Sequence, residues 1–238
     1  MGSSITHELA LLVRDVPRDA SKFRPPLLRL AGAMDERVKS SDASSLEFVR
    51  TAVRVLTKVG LSYNSDIQYR CFDSAVPYLY AHAELDAALL AARGMLVIGR
   101  QLKRKDLIRR GCNCLGIIDK SLGNFADAIV HFQEALQLSQ ELGDPQAELA
   151  VLGNLGGTFV EAGLCSEALR CFQRAESLYP AHLVLNSDRA LSLVNLSLLY
   201  LRLGDLKSAN QAARRSLRLW EEPICASDFV SRTFRKAL

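Results

Sequence analysis

The sequence predicts an all-α solenoid of stacked helix-turn-helix hairpins, and three observations carry that expectation. The first is self-similarity. Leu115-Gly116, Leu155-Gly156 and Leu196-Ser197 recur every 40 or 41 residues. Each is followed at constant spacing by a glycine (Gly123, Gly163, Gly204) and then an alanine (Ala128, Ala168, Ala209). A supersecondary unit repeated at such a period buries its apolar face by stacking on its neighbours. The second is the turn chemistry. Gly123-Asn124, Gly163-Leu164 and Gly204-Asp205 divide each unit into two helix-length halves, because glycine enters the left-handed region without steric cost. The third is composition. The 238 residues are 49% hydrophobic but only 7% aromatic, and Leu, Ala, Arg and Glu are plentiful. These are strong helix formers.

Taken in order, residues 1–24 read as a short helix and an irregular lead-in. Met1-Gly2-Ser3-Ser4-Ile5-Thr6 fits the loose myristoylation pattern, to which a short Gly-Ser run gives little weight. Residues 25–62 form a degenerate hairpin that caps the stack. Its helices span Pro26 to Val38 and Ser44 to Val59, the second with Leu46, Val49, Val53 and Leu56 on one face. Residues 63–223 hold the repeats, at about 66–104, 106–143, 145–182 and 186–223. The first of these is weak, with Ala75-Val76, Ala83, Ala88, Ala92 and Met95 at the signature places. Gly143-Asp144-Pro145 is a helix stop, an N-cap and a proline at the first helical position. Pro180 and Pro223 close two further units. Residues 224–238 are a capping helix or the start of a truncated repeat. Phe229, Val230 and Phe234 favour the truncation, since they leave an apolar edge.

The small residues have a packing reason. Gly116 or Gly156 on a first helix and Ala128 or Ala168 on the second lie where the two helices cross. Phe132 and Phe172 then fill the space between one hairpin and the next. Asp119 stands where an aromatic is expected, so it is either exposed or paired with a Lys or Arg.

These residues resemble the tetratricopeptide repeat, whose signature runs Trp-x2-Leu-Gly-x2-Tyr, Ala-x3-Phe, Pro. The best match is Leu152, Leu155-Gly156, Phe159, Ala168, Phe172 and Pro180. The period of about 40 residues is similar to extended repeats of bacterial signalling regulators and of animal scaffold proteins. The resemblance implies a right-handed superhelix whose concave groove is lined by the first helix of each hairpin and takes a peptide or a helix.

Groove candidates follow at three- and four-residue spacing. They are Arg70, Asp73, Pro77 and Tyr80; Arg110, Asn113, Ile117 and Lys120; Ala150, Asn154, Gly157 and Glu161; and Leu191, Asn195, Leu198 and Arg202. Asn154 and Asn195 occupy equivalent places. An asparagine amide donates to a peptide carbonyl and accepts from a peptide N–H at once. In related repeat proteins asparagines at this place bind peptide backbone; the competing role is to cap or bridge neighbouring helices. Arg70, Arg110, Lys120 and Arg202 suggest a basic inner surface suited to an acidic peptide or a terminal carboxylate.

Several functions are disfavoured. The sequence has no phosphate loop, dinucleotide turn or Gly-x-Ser-x-Gly elbow. His7, His82, His131 and His182 read as surface or boundary residues, so no catalytic residue is assigned and the chain is expected not to be an enzyme. The cysteines Cys71, Cys112, Cys114, Cys165, Cys171 and Cys225 lack metal-ligand spacing and read as reduced thiols, with no metal or cofactor implied. The net charge of +4 is mild. The run Lys103-Arg104-Lys105 with Arg109-Arg110 reads as a solvated helix end, with a phosphate-binding patch ranked last. Without a signal peptide or membrane span the chain is expected in the cytoplasm. The expected function is protein or peptide binding, as the regulatory or sensory region of a larger bacterial-type signalling protein, with partners in the groove, its own effector domain or a second copy. The alternatives are a stand-alone scaffold or adaptor and a self-associating dimerisation module.

Overall fold

A computed structural model describes residues 20–40, 42–58, 65–178 and 186–221. The lead-in before Ala20 and the 224–238 segment lie outside the described residues, as do Pro180, Pro223, Cys225, His7 and His182. Among the described residues the protein is all-α, with ten helices in sequence. They are α1 (Ala20–Arg37), α2 (Ala43–Lys58), α3 (Ser65–Ala81), α4 (Leu85–Gln101), α5 (Lys105–Ser121), α6 (Phe125–Glu141), α7 (Pro145–Glu161), α8 (Cys165–Leu178), α9 (Asn186–Arg202) and α10 (Leu206–Glu221). The capping hairpin thus begins at Ala20, before the two prolines that were expected to open it.

The chain forms two compact units that divide between Ile118 and Asp119. In the first, α3 packs on α4, with α1 and α2 against that hairpin. In the second, α7 packs on α6 and α8, and α9 packs on α10, α8 and α7.

Six turns share one geometry. Ala83, Lys103, Gly123, Gly143, Gly163 and Gly204 all take positive φ. Each lies two residues past a helix end whose carbonyls it helps to close. At Gly163, for example, its N–H bonds to the Val160 carbonyl at 3.2 Å and the Leu164 N–H bonds to the Phe159 carbonyl at 2.8 Å. This paired closure is the Schellman motif. Four of the six positions are glycine, whereas Ala83 and Lys103 carry a Cβ into a region that costs non-glycine residues roughly 1–2 kcal/mol. Part of that cost is offset by the larger unfolded-state entropy of glycine. Ala83→Gly and Lys103→Gly should therefore each raise stability by about 0.5–1 kcal/mol in urea unfolding. Lys103 sits at a turn and Arg104 pairs with Asp106, so the basic run is a solvated helix junction.

The hairpin cores reveal two exchanges. In α7–α8 a Cβ built on Gly156 would lie 2.7 Å from Cε1 of Phe172. Phe172 therefore packs onto the bare backbone of its own first helix and does not merely separate hairpins. In α3–α4 the partners trade helices: Phe72 on α3 lies over Gly94 on α4, with 2.5 Å between a built Cβ and Cε2. In α9–α10, hydroxyls take over from the ring. Ser197 Oγ donates to the Ala209 carbonyl at 2.9 Å, and Ser216 Oγ donates to the Ala190 carbonyl at 2.8 Å. Ala212 is buried there, and Ala213, aligned with the phenylalanines, is partly exposed.

One sequence expectation changes. Asp119 is neither exposed nor paired with a Lys or Arg. It is 5% exposed, and its Oδ2 lies 2.9 Å from Nδ1 of His131. His131 is correspondingly a half-buried partner at the boundary of the core. The pair occupies the places that Phe159 and Cys171 hold in the next hairpin, so a polar pair replaces an apolar one. Cys71, Cys112 and Cys171 are buried, and Cys114 and Cys165 are partly so. Burial pushes the Cys114 and Cys171 thiols up to about 11 and Cys71 up to about 12, which keeps them protonated at neutral pH.

Candidate functional site

The second unit carries a groove of about 680 Å³ between α7 and α9. Helix α7 is positioned from both ends. Asp144 caps its start by accepting from the Ala147 N–H at 3.0 Å, with Pro145 following. One turn on, the buried Glu148 carboxylate accepts from Gln140 Nε2 of α6 at 3.1 Å and from Arg174 Nε of α8 at 3.2 Å. At its C-terminal end the Val160 carbonyl accepts from Arg202 of α9 at 3.0 Å, tying the two groove helices together. Such charge-assisted bonds to a helix terminus combine hydrogen bonding with a favourable dipole interaction.

The side chains facing the groove follow from helical spacing. From α7 come Gln146, Ala150, Gly153, Asn154, Gly157 and Glu161; from α9 come Leu191, Ser192, Asn195, Leu198, Leu201 and Arg202. Lys120, near the end of α5, closes the rim through an ion pair with Glu161 at 2.9 Å. Of the residues named from the sequence, Lys120, Ala150, Asn154, Gly157, Glu161, Leu191, Asn195, Leu198 and Arg202 meet around this one groove. Among the described residues, no side-chain hydrogen bond engages the Asn195 amide. Ser192, Gly153, Gln146 and Leu201 were not named, although helical spacing reaches each of them: Gln146 lies four residues before Ala150 and Gly153 three after it, Ser192 three before Asn195, and Leu201 three after Leu198.

The remaining named residues belong to the first unit. Arg70 pairs with Asp35 of α1, and Ser74 Oγ donates to the same carboxylate at 3.0 Å. Arg110 pairs with Asp73 at 2.6 Å. Tyr80 and Pro77 are exposed on α3, and Asn113 is partly buried on α5. Asn113 is out of register with the other two asparagines, since counting back 40 residues from Asn154 reaches Cys114.

The electrostatics differ from the expected basic surface. Arg70, Arg110 and Lys120 each face a carboxylate of a neighbouring first helix, and Arg202 faces a carbonyl. A cation on one helix and an anion on the next neutralise each other, so the named bases form inter-repeat links. As exposed pairs they add little to stability, about 0–1 kcal/mol each. Within the groove Lys120 is thereby balanced by Glu161, whereas Arg202 keeps its charge beside a neutral carbonyl. Among the described residues no group of three or more His, Cys, Asp or Glu side chains is arranged to hold a metal, and no helix is long and apolar enough to cross a membrane.

Comparison with known proteins bears on this geometry. Two family models described as tetratricopeptide repeat match residues 112–181 and 189–222. No curated protein matches the sequence. Among solved structures, BtubC from P. vanneervenii is 19% identical with a TM-score of 0.68, covering 90% of each chain. The tetratricopeptide-sensor signal transduction ATPase with numerous domains from Pyrococcus horikoshii is 18% identical with a TM-score of 0.66, covering 87% of this chain and 33% of its own. The Rap conjugation gene regulator of plasmid pLS20, solved in complex with a Phr peptide, is 16% identical with a TM-score of 0.55, covering 79% of this chain and 50% of its own. The chain thus spans half or less of the last two, and at these identities the likeness is one of fold.

Proposed function

We propose that the chain, whose residues 112–181 and 189–222 match tetratricopeptide repeat models, is a non-catalytic protein- or peptide-binding module whose α7–α9 groove holds a peptide main chain. The observation that carries this reading is the placement of Asn154 and Asn195 at equivalent positions on neighbouring first helices, both lining one groove. A peptide backbone offers an acceptor and a donor at each residue. An amide that both donates and accepts can engage it whatever side chains it carries. The Rap regulator, solved with a peptide, and the signal transduction ATPase, with its repeat sensor, lend support by fold alone. On this reading the chain is the sensory or regulatory region of a larger signalling protein in the cytoplasm.

The test uses peptides selected from a random display library on the immobilised chain, then synthesised and titrated. Each lost backbone-directed amide costs about 1–1.5 kcal/mol, or on the order of tenfold in affinity. Asn154→Ala combined with Asn195→Ala should weaken the selected peptides by about a hundredfold while the far-UV circular dichroism is unchanged. Equal affinity for the double variant removes the asparagines from the site.

A further inference from the structure

Three glycines in one helix interior are costly, and only one of the three in α7 has a packing reason. Gly156 must stay bare because Phe172 lies against it. A Cβ on Gly153 would meet no neighbouring atom within 4 Å, and one on Gly157 would meet only Lys120 Nζ at 3.4 Å. Both residues line the groove, so what they provide is empty space above the helix backbone. A second, independent feature faces the same space. Ser192 is 8% exposed, lines the groove, and its Oγ has no hydrogen-bond partner. Other buried helical hydroxyls here reach a carbonyl: Ser139 bonds to Ala135 and Thr158 to Asn154 within their own helices, both at 2.8 Å, and Ser197 and Ser216 bond across α9 and α10. A buried hydroxyl left without that bond is a loss that a ligand can repair. The wall opposite is aliphatic: Leu191, Leu198 and Leu201 of α9 are 55%, 53% and 50% exposed. The charges at the rim are engaged, Lys120 with Glu161 and Arg202 with the Val160 carbonyl.

Building on the peptide-binding reading above, we infer that the groove selects an uncharged segment with one large apolar side chain, seated over Gly153 and Gly157 against the α9 leucines, while Ser192 Oγ bonds to its main chain. The bare floor sets the size of the anchor. The exposed leucines set its polarity, since apolar area left in water drives association. An acidic segment would have to displace Glu161 from Lys120, and a hydrogen bond to the Val160 carbonyl already holds Arg202.

The experiment sequences the heptapeptides that a random display library yields on the full chain. It then titrates one synthetic winner against the wild type, Gly157→Leu, Gly153→Leu and Ser192→Ala. The expected winners share a Leu, Ile, Met or Phe at one position and carry no net charge. Either leucine variant fills the floor and should weaken the winner at least tenfold without lowering the melting temperature. Ser192→Ala should weaken it several-fold. Acidic winners, or winners that bind both leucine variants as well as the wild type, overturn the apolar anchor and leave peptide binding standing. If no peptide is enriched, both readings fall.

Discussion

Replacing Phe172 by alanine should lower the unfolding free energy by about 3–5 kcal/mol, the cost of removing a fully buried phenylalanine. The ring is completely buried and lies on the backbone of Gly156, so the neighbouring helix has no side chain with which to fill the hole. The same contact makes the reverse change costly. A Cβ at Gly156 would sit 2.7 Å from the ring, and Gly156→Leu should destabilise by about 1–3 kcal/mol through overpacking. Guanidinium unfolding of both variants checks this. A Phe172→Ala loss below about 1 kcal/mol would show that the hairpin collapses around the cavity and that the close approach is not what holds α7 to α8. Because Phe172 also lines the groove, its loss should weaken peptide binding as well.

The second large effect belongs to the Asp119–His131 pair. His131→Ala should cost about 1–3 kcal/mol, since it strips a buried carboxylate of its one identified side-chain partner. A double-mutant cycle with Asp119→Asn separates the contact from the loss of packing. A coupling of about 1 kcal/mol is expected, and additive losses would mean that the two side chains stabilise the unit independently.

Most of the fold was legible because repetition reports packing. The 40-residue recurrence of leucine, glycine and alanine marks where helices cross, and crossing helices tolerate little besides small residues. What failed to show was compensation between positions. Phe72 and Gly94 reproduce the Phe172–Gly156 contact with the helices exchanged, so a scan for the signature finds only a faint repeat there. Ala83 and Lys103 adopt the left-handed turn without glycine, held by the same paired carbonyl closures as the others. Asp119 looked misplaced until His131, twelve residues away on the next helix, came into contact with it.

The candidate site divides in the same manner. Equivalent register located Asn154 and Asn195, whereas Asn113 came from the three-residue step after Arg110 and lies one residue out of phase with them. The four named bases suggested charge, yet each meets an acceptor on a helix some 35 to 42 residues away in sequence. Neither that pairing nor the unsatisfied hydroxyl of Ser192 has a local sequence signature, because both depend on which helices become neighbours.

The central claim is that ligand lies between α7 and α9, and site-directed photo-crosslinking tests it most directly. A benzophenone amino acid placed at Leu201, on the groove, is compared with one at Val130, which is 60% exposed on α6 and does not line the groove. A selected peptide should crosslink at position 201 and not at 130. Crosslinking at 130, or equally at both, would contradict the groove as the binding site.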